Sequence, residues 1–252
     1  MTSILLGPQL VVVCLAMVAV AAAVYLTARI GPAWVVPVAA VRAAAQLAAV
    51  SAVLAAAMAR VSTSLVVLTV MFTVAVWTAA RRSQASTGSL WLAVPMLVGL
   101  TMTVPPMLLT GLIPPTGIAL VPIVGIVLGG TMTSVAVAAR LALTMLDVRA
   151  GEVEAALSLG FSARDARMEI IHLTAAEALL PNVDQARTSG LVVLPGAFVG
   201  VLLSTGSAAQ AGAVQVLVIV ALLTSQSCAV ALTCELVARN RIARTTTDVG
   251  PG

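Results

Sequence analysis

Lysine is missing from this chain: all 13 basic residues are arginine. A Walker A phosphate loop needs its lysine to reach the β- and γ-phosphates. The chain is therefore not a P-loop ATPase, and any ATP-driven role requires a partner. Charge of either sign is scarce, at 9% of 252 residues, against roughly 25% in a soluble domain. Aromatic residues make up 3%, too few for the stacking platforms that hold nucleic-acid bases. The formal net charge of +4 is read as membrane orientation, and no nucleic acid is expected as a partner. Histidine occurs once, at His172, which leaves no Ser–His–Asp or Cys–His arrangement away from that one position. A lone histidine without a second ligand at metal spacing is not a metal motif, so metal ligands stay unassigned. Cys14, Cys228 and Cys234 all fall in apolar runs, and their odd number gives no disulfide framework. A basic stretch before the first apolar run is also lacking, so no cleaved signal peptide is expected.

What is present in quantity is apolar surface. Hydrophobic residues make up 61% of the chain, and the mean hydropathy is +1.13. A water-soluble fold cannot hide this much. The expectation is an all-α polytopic membrane protein forming a single permease-like domain over 1–252. At roughly 20 apolar residues per crossing, about seven transmembrane helices are predicted. They fall near 9–28, 35–58, 64–80, 90–110, 119–146, 188–205 and 213–237. Pro105, Pro106, Pro114 and Pro115 are expected to bracket a stiff connection after the fourth. One set of alternate connections holds Arg29, Arg81, Arg82, Arg149, Arg164, Arg167, Arg187, Arg239, Arg241 and Arg244, and the other only Arg60. The positive-inside rule then puts the N-terminus outside and the C-terminus in the cytoplasm of a plasma-membrane protein.

The one long polar connection, about 147–187, carries Asp147, Glu152, Glu154, Asp165, Glu169 and Glu177, six of the nine acidic residues. Asp184 follows it, and only Glu235 and Asp248 lie elsewhere. From Glu152 to Leu159 the residues favour a helix, and Gly160 suits a left-handed cap that ends it. Ser162 followed by Asp165 is a capping-box-like start for a second helix. Ile170, Ile171, Leu173, Leu179 and Leu180 would give that helix an apolar face. A cytoplasmic helix-turn-helix lying on the membrane surface is expected.

Glu154-Ala155-Ala156, with Gly160 following, resembles the EAA motif of ABC permeases. In that family the short helix before the glycine docks in a groove of the ATPase. A wider set of stretches resembles one small group, the Fet-type iron export permeases and the related plant aluminium-tolerance permeases. These are VRAAAQLAAV at 41–50, WTAARRS at 77–83, VPIVGIVLGGTMTSVAVA at 121–138, EAALSLGFSARDA at 154–166 and LPNVDQARTSGLVVLPGAFVG at 180–200. The resemblance implies a permease subunit of an ABC exporter for a metal ion, iron-like, or a metal-related small solute. It implies two permease copies in membrane lipid, each bound to a separate ATPase that carries the ATP and Mg, with no cofactor on this chain. It implies ATPase coupling through Glu154, Ala155, Ala156, Leu159, Gly160, Ser162 and Asp165. Two departures weaken the iron assignment. Gly130 and Thr131 stand where the family has an asparagine, and Ala197 and Phe198 where it has methionines. A permease for lipid, peptide or drug, or a non-transporting scaffold or sensor, stays open.

Candidates for a substrate path or gate are Arg42, Gln46, Met132, Asn182, Asp184, Arg187, Pro195 and Gly196, each with a plainer reading. Arg42 and Gln46, one turn apart in an apolar span, line a cavity, or else hydrogen-bond a neighbouring helix or snorkel. Asp184 and Arg187 can pair at i,i+3. Arg140 is explained by an ion pair with Asp147 or by snorkelling. Pro195 would kink the sixth span as a hinge. Gly125-xxx-Gly129 and Gly196-xxx-Gly200 read as helix-packing patterns, and Met96, Met102, Met107 and Met132 as core filling or a soft-metal path.

Overall fold

The computed structural model describes residues 7–57 and 61–244, so Arg60 and Asp248 lie outside the described residues. Among these there are helices, two short 3-10 turns and no strand. Among the described residues five helices are long and apolar enough to cross a membrane. Their apolar side chains face outward in large numbers, as lipid as solvent permits. The protein is an all-α, multi-pass membrane protein. Its chain separates into two compact units, residues 1–59 and 60–252.

The first unit holds two packed helices, α1 (Pro8–Thr27) and α2 (Val35–Ala57). Pro8 stands at the first turn of α1, where its missing N–H costs nothing. No residue of α1 is buried.

The second unit is built on α3 (Val61–Ser83), α4 (Ala93–Leu109), α5 (Gly117–Val148) and α10 (Ala208–Ala238). Between α5 and α10 come four short helices: α6 (Ala150–Ser158), α7 (Ala163–Ala175), α8 (Leu180–Thr188) and α9 (Gly196–Thr205). The core is rich in alanine and valine, among them Ala75, Ala79, Val135, Ala139, Ala142, Ala229 and Val237. Small side chains let helix backbones approach closely. Gly99 makes one such contact against backbone: a methyl group there would sit 2.6 Å from the Ser225 hydroxyl and 2.7 Å from its carbonyl oxygen. Beside it the Thr131 and Ser225 hydroxyls share a 2.7 Å hydrogen bond across α5 and α10.

Helix directions follow from these contacts. Met71, midway along α3, meets Gly125 in the first half of α5, and Arg81 and Arg140 line one groove nearer the C-terminal ends of both. These two helices run the same way, as does α10, because Thr131 meets Ser225 and Asp147 meets Arg244. Helix α4 runs opposite, with Gly99 beside Ser225 and Met107 packed near Ala221. The C-terminal ends of α3, α5 and α10 therefore lie together at one end of the bundle. That end carries Arg81, Arg82, Arg149, Arg164, Arg167, Arg239, Arg241 and Arg244.

Three expectations are corrected. The predicted sixth span, 188–205, is not a continuous helix. Residues 189–195 are non-helical, Gly190 has φ +85, and Pro195 is the N-cap of α9 rather than a kink within a helix. Gly190 accepts the left-handed turn, and a proline disfavours helix in the residue before it. At ten residues, α9 is roughly 15 Å long, half a crossing. Second, Pro105 and Pro106 lie inside α4, which runs on to Leu109. Each proline removes one backbone donor, which membrane helices tolerate. Third, of the two glycine patterns only Gly125 packs closely, its added Cβ lying 3.0 Å from the Met71 methyl, whereas one at Gly129, Gly196 or Gly200 would meet nothing within 4 Å. Further close helix approaches are made at Gly99 and at Gly130, which abuts Leu222 and Gln226.

Candidate functional site: an exposed helix carried on an anchored one

At the arginine-rich end, α5 gives way to α6 at a single residue. Arg149, with φ −109 and ψ 30, closes one helix and opens the next. Its guanidinium lies 3.4 Å from Glu152. Helix α6 buries none of its nine residues. Glu154 and Ala155 are exposed and Ala156 half-buried, and Leu159 is 80% exposed. Leu157 and Phe161 beside it are exposed too, so the end of this helix presents an apolar patch outside the apolar spans.

The turn after α6 is stiff. Gly160 has φ +90, the left-handed conformation expected of it. The Phe161 N–H donates to the Ala156 carbonyl at 3.1 Å and the Gly160 N–H to that of Leu157 at 3.0 Å. This is a Schellman motif, which satisfies the carbonyls at the end of a helix. Ser162 then caps α7, its hydroxyl accepting from the Asp165 N–H at 3.2 Å and donating to the Asp165 carboxylate at 2.6 Å. In a full capping box the acidic side chain reaches the cap residue's own N–H. Aspartate, one methylene shorter than glutamate, stops at the hydroxyl. The Ser162 hydroxyl, and then Arg164, hold the Asp165 carboxyl below its ordinary value.

Helix α7 is anchored where α6 is free. Ala166, Ile170, Ile171 and Thr174 are buried against the bundle, whereas Leu173 and Leu180 of the predicted apolar face are exposed. Arg164 grips Glu235 of α10 with two hydrogen bonds, Nε to Oε1 at 3.1 Å and Nη2 to Oε2 at 2.6 Å. These bonds push the Arg164 guanidinium further into its charged form. Arg239 donates to the same carboxylate at 2.6 Å. Arg167 reaches the Ala238 carbonyl at 3.3 Å, capping the end of α10. A push on α6 would pass directly into α5 through Arg149, and through the Gly160 turn and α7 into α10.

The protein family described as "Uncharacterised protein family (UPF0014)" matches residues 8–242. The chain belongs to this family. It is 31% identical over 217 residues to the rice UPF0014 membrane protein STAR2, covering 85% of this chain and 76% of STAR2. It is 29% identical over 180 residues to the probable iron export permease protein FetB of Escherichia coli, covering 70% of this chain and 68% of FetB. It is 29% identical over 149 residues to the Arabidopsis protein ALUMINUM SENSITIVE 3, covering 59% of this chain and 55% of that one. No solved structure matches.

The structure distributes the other candidate residues widely. Arg42 and Gln46 are exposed on α2, in the first unit. Met132 packs against the bundle core. The Asn182 amide donates to the Ser134 hydroxyl at 3.2 Å, tying α8 to α5. Arg187 and Asp184 pair at 3.3 Å on the exposed side of α8. Pro195 and Gly196 open α9. Asp147 pairs with Arg244 at 2.9 Å, not with Arg140, because Arg140 stands two turns back on α5. His172 is exposed, its Nδ1 3.0 Å from the Met168 carbonyl. Met102 and Met107 do share a cavity of about 220 Å³ with Thr103, Thr110 and Thr224.

Sequence reasoning passed over Glu235. Its signal was a single carboxylate near the end of a long apolar helix with Arg239 one turn on, a pattern that marks a partnered charge.

Proposed function

We propose that this chain is the permease subunit of an ABC transporter, with α6 as the helix that engages a separate ATPase. The observation that carries this reading is the contrast between α6, which buries nothing, and α7, which is buried and ion-paired. A helix with no buried residue gains little by being held rigidly unless something else meets it. Glu154, Ala155, Ala156 and Leu159 supply the contact face, with alanines allowing close approach. Gly160, Ser162 and Asp165 hold its angle. ATP and Mg belong to the ATPase, and closure of that subunit tilts α6 and, through it, α5 and α10.

The arginine-rich end faces the cytoplasm under the positive-inside rule, which places the C-terminus inside and, with an odd number of crossings, the N-terminus outside. Between α7 at this end and the start of α10 at the other, the chain crosses by way of α8, the break at 189–195 and α9. Broken helices are where membrane transporters build substrate sites, because unwound backbone offers carbonyls and N–H groups at depth. Asn182, Asp184, Arg187, Pro195 and Gly196 flank this crossing, and Arg42, Gln46 and Met132 remain path candidates on other helices. Two copies of the chain would enclose the path. The relatives named for iron export and aluminium sensitivity support a metal ion or metal-related solute as cargo, moved outward. Among the described residues no group of three or more His, Cys, Asp or Glu side chains is placed to hold a metal ion. A cargo cation would meet carbonyl, amide and thioether groups and the single carboxylate of Asp184, suited to transient rather than tight binding.

The test is ATP hydrolysis by this chain and its ATPase in proteoliposomes, comparing iron with other divalent metals in wild type and Gly160→Pro. Stimulation by one metal, lost in the variant, supports the reading. Hydrolysis indifferent to every metal overturns the cargo, and failure to assemble with any ATPase overturns the permease role.

A further inference from the structure

One groove of the second unit lies away from the coupling helices α6 and α7. It lies between α3 and α5, has a volume of about 400 Å³, and is lined by Arg81 and Arg82 at the end of α3, Gln84 just beyond it, and Arg140 and Ala136 of α5. Three guanidinium groups border it and no carboxylate does. The nearby acids are engaged elsewhere: Asp147 with Arg244, Glu152 with Arg149, and Glu235 with Arg164 and Arg239. Among the described residues neither Arg82 nor Arg140 makes an ion pair. The Gln84 carbonyl and side-chain oxygen both accept from Arg244 at 3.3 Å, which leaves the amide NH₂ of Gln84 as its free polar group. Arg81 is stacked over the Trp77 ring, 4.8 Å from its centroid, a contact that orders the guanidinium. The groove thus offers hydrogen-bond donors and positive charge, the chemistry that holds phosphate.

Its level in the membrane is also defined. Arg81 and Arg82 occupy the last turn of α3. About 20 helical residues cross the hydrocarbon core, and counted from Ala119, where the apolar stretch of α5 begins, they end next to Arg140. Both helices leave the apolar layer at the groove. Below it, α3 presents Val70, Val74 and Trp77 outward, each more than half exposed. An acyl chain would meet those side chains, and tryptophan favours this depth.

We propose that this groove binds the phosphate of an anionic phospholipid headgroup, held by Arg81, Arg82 and Arg140 with the acyl chains along α3. Basic pockets between helices at the cytoplasmic side take such headgroups. A soluble phosphate ester carries the same recognition group but has no use for the apolar face below. The site is independent of the coupling reading and is tested without any ATPase. The full chain in neutral detergent is titrated with phosphatidylglycerol or phosphatidylcholine, and bound lipid is counted by native mass spectrometry. Competition is measured with glycerol phosphate and inorganic phosphate. One phosphatidylglycerol per chain should bind in preference to phosphatidylcholine. Its affinity should fall roughly 5-fold in Arg82→Gln or Arg140→Gln and roughly 25-fold in the double variant, at about 1 kcal/mol per arginine. Arg149→Gln, whose partner is Glu152, should leave it unchanged. Both groove arginines are exposed, so the variants should fold, as checked by an unchanged helical spectrum. Arginine-dependent displacement by glycerol phosphate at equal concentration would keep the phosphate site and overturn the lipid as its source. Equal binding of the two lipids, or a double variant that binds as wild type, would overturn the site.

Discussion

Replacing Gly160 by alanine isolates the coupling turn from the bundle. Gly160 has φ +90, and an added Cβ there would meet nothing within 4 Å. The cost is therefore backbone strain alone, roughly 1–2 kcal/mol for a non-glycine residue in the left-handed region. Because α6 buries no residue, that strain is relieved by letting the turn open rather than by disturbing the core. The population of α6 in its capped orientation should fall roughly 5- to 30-fold. Amide exchange at Gly160 and Phe161, whose N–H groups donate to Leu157 and Ala156, should accelerate by the same factor. Cargo-stimulated ATP hydrolysis should drop, while thermal unfolding of the bundle in detergent stays put. Asparagine tolerates the left-handed conformation better than alanine, so Gly160→Asn should recover most of the loss. Alanine and asparagine variants that behave alike would refute the strain argument. A lowered melting temperature with unaltered hydrolysis would refute the assignment of Gly160 to coupling.

Gly99→Ala should destabilise the bundle by about 1–3 kcal/mol through overpacking against Ser225, read as a lowered midpoint of thermal unfolding. Ser225→Ala would not rescue it, since the Ser225 carbonyl is in the way as well. Thr131→Val removes the buried hydroxyl pair and should cost about 0.6–2 kcal/mol by the same measurement; no change would mean that the pair adds nothing. Glu235→Gln should speed amide exchange in α7 and leave the centre of α5 as it was, because Glu235 ties only α7 and Arg239 to α10. The Asp165 carboxyl sits below its ordinary value of 3.8 in the folded chain. Its contribution is therefore complete above that value and lost as pH falls through the lower folded one. Exchange at the start of α7 should rise over that acid range in wild type but not in Asp165→Asn.

Six of the seven predicted spans overlap helices among the described residues, because long apolar runs are the strongest signal a membrane sequence carries. The short α6, the glycine turn and the Ser162 cap were equally legible, since each rests on local backbone chemistry at Gly160, Ser162 and Asp165. The break at 189–195 was not. Leu191, Val192, Val193 and Leu194 are as apolar as any span, and hydropathy reads composition rather than helical continuity. Pro105 and Pro106 erred the other way, because a membrane helix can carry a proline without ending. The Arg164–Glu235 and Asp147–Arg244 pairs join residues 71 and 97 positions apart, a separation that no local pattern reveals. The arginine groove was hidden for a related reason. Proximity along the chain offers Arg140 either Asp147 or snorkelling, whereas folding delivers Asp147 to Arg244 and Arg140 to the groove beside α3.

The central claim, that α6 meets an ATPase, is tested most directly by photo-crosslinking from single positions of the full-length chain co-expressed with its ATPase in membranes. A photoreactive residue at Ala155 or Leu159 should crosslink to the ATPase, and one at Leu173, exposed on α7, much less. Crosslinking from Leu173 but from neither α6 position, or from none of the three while the ATPase co-purifies, would contradict the account.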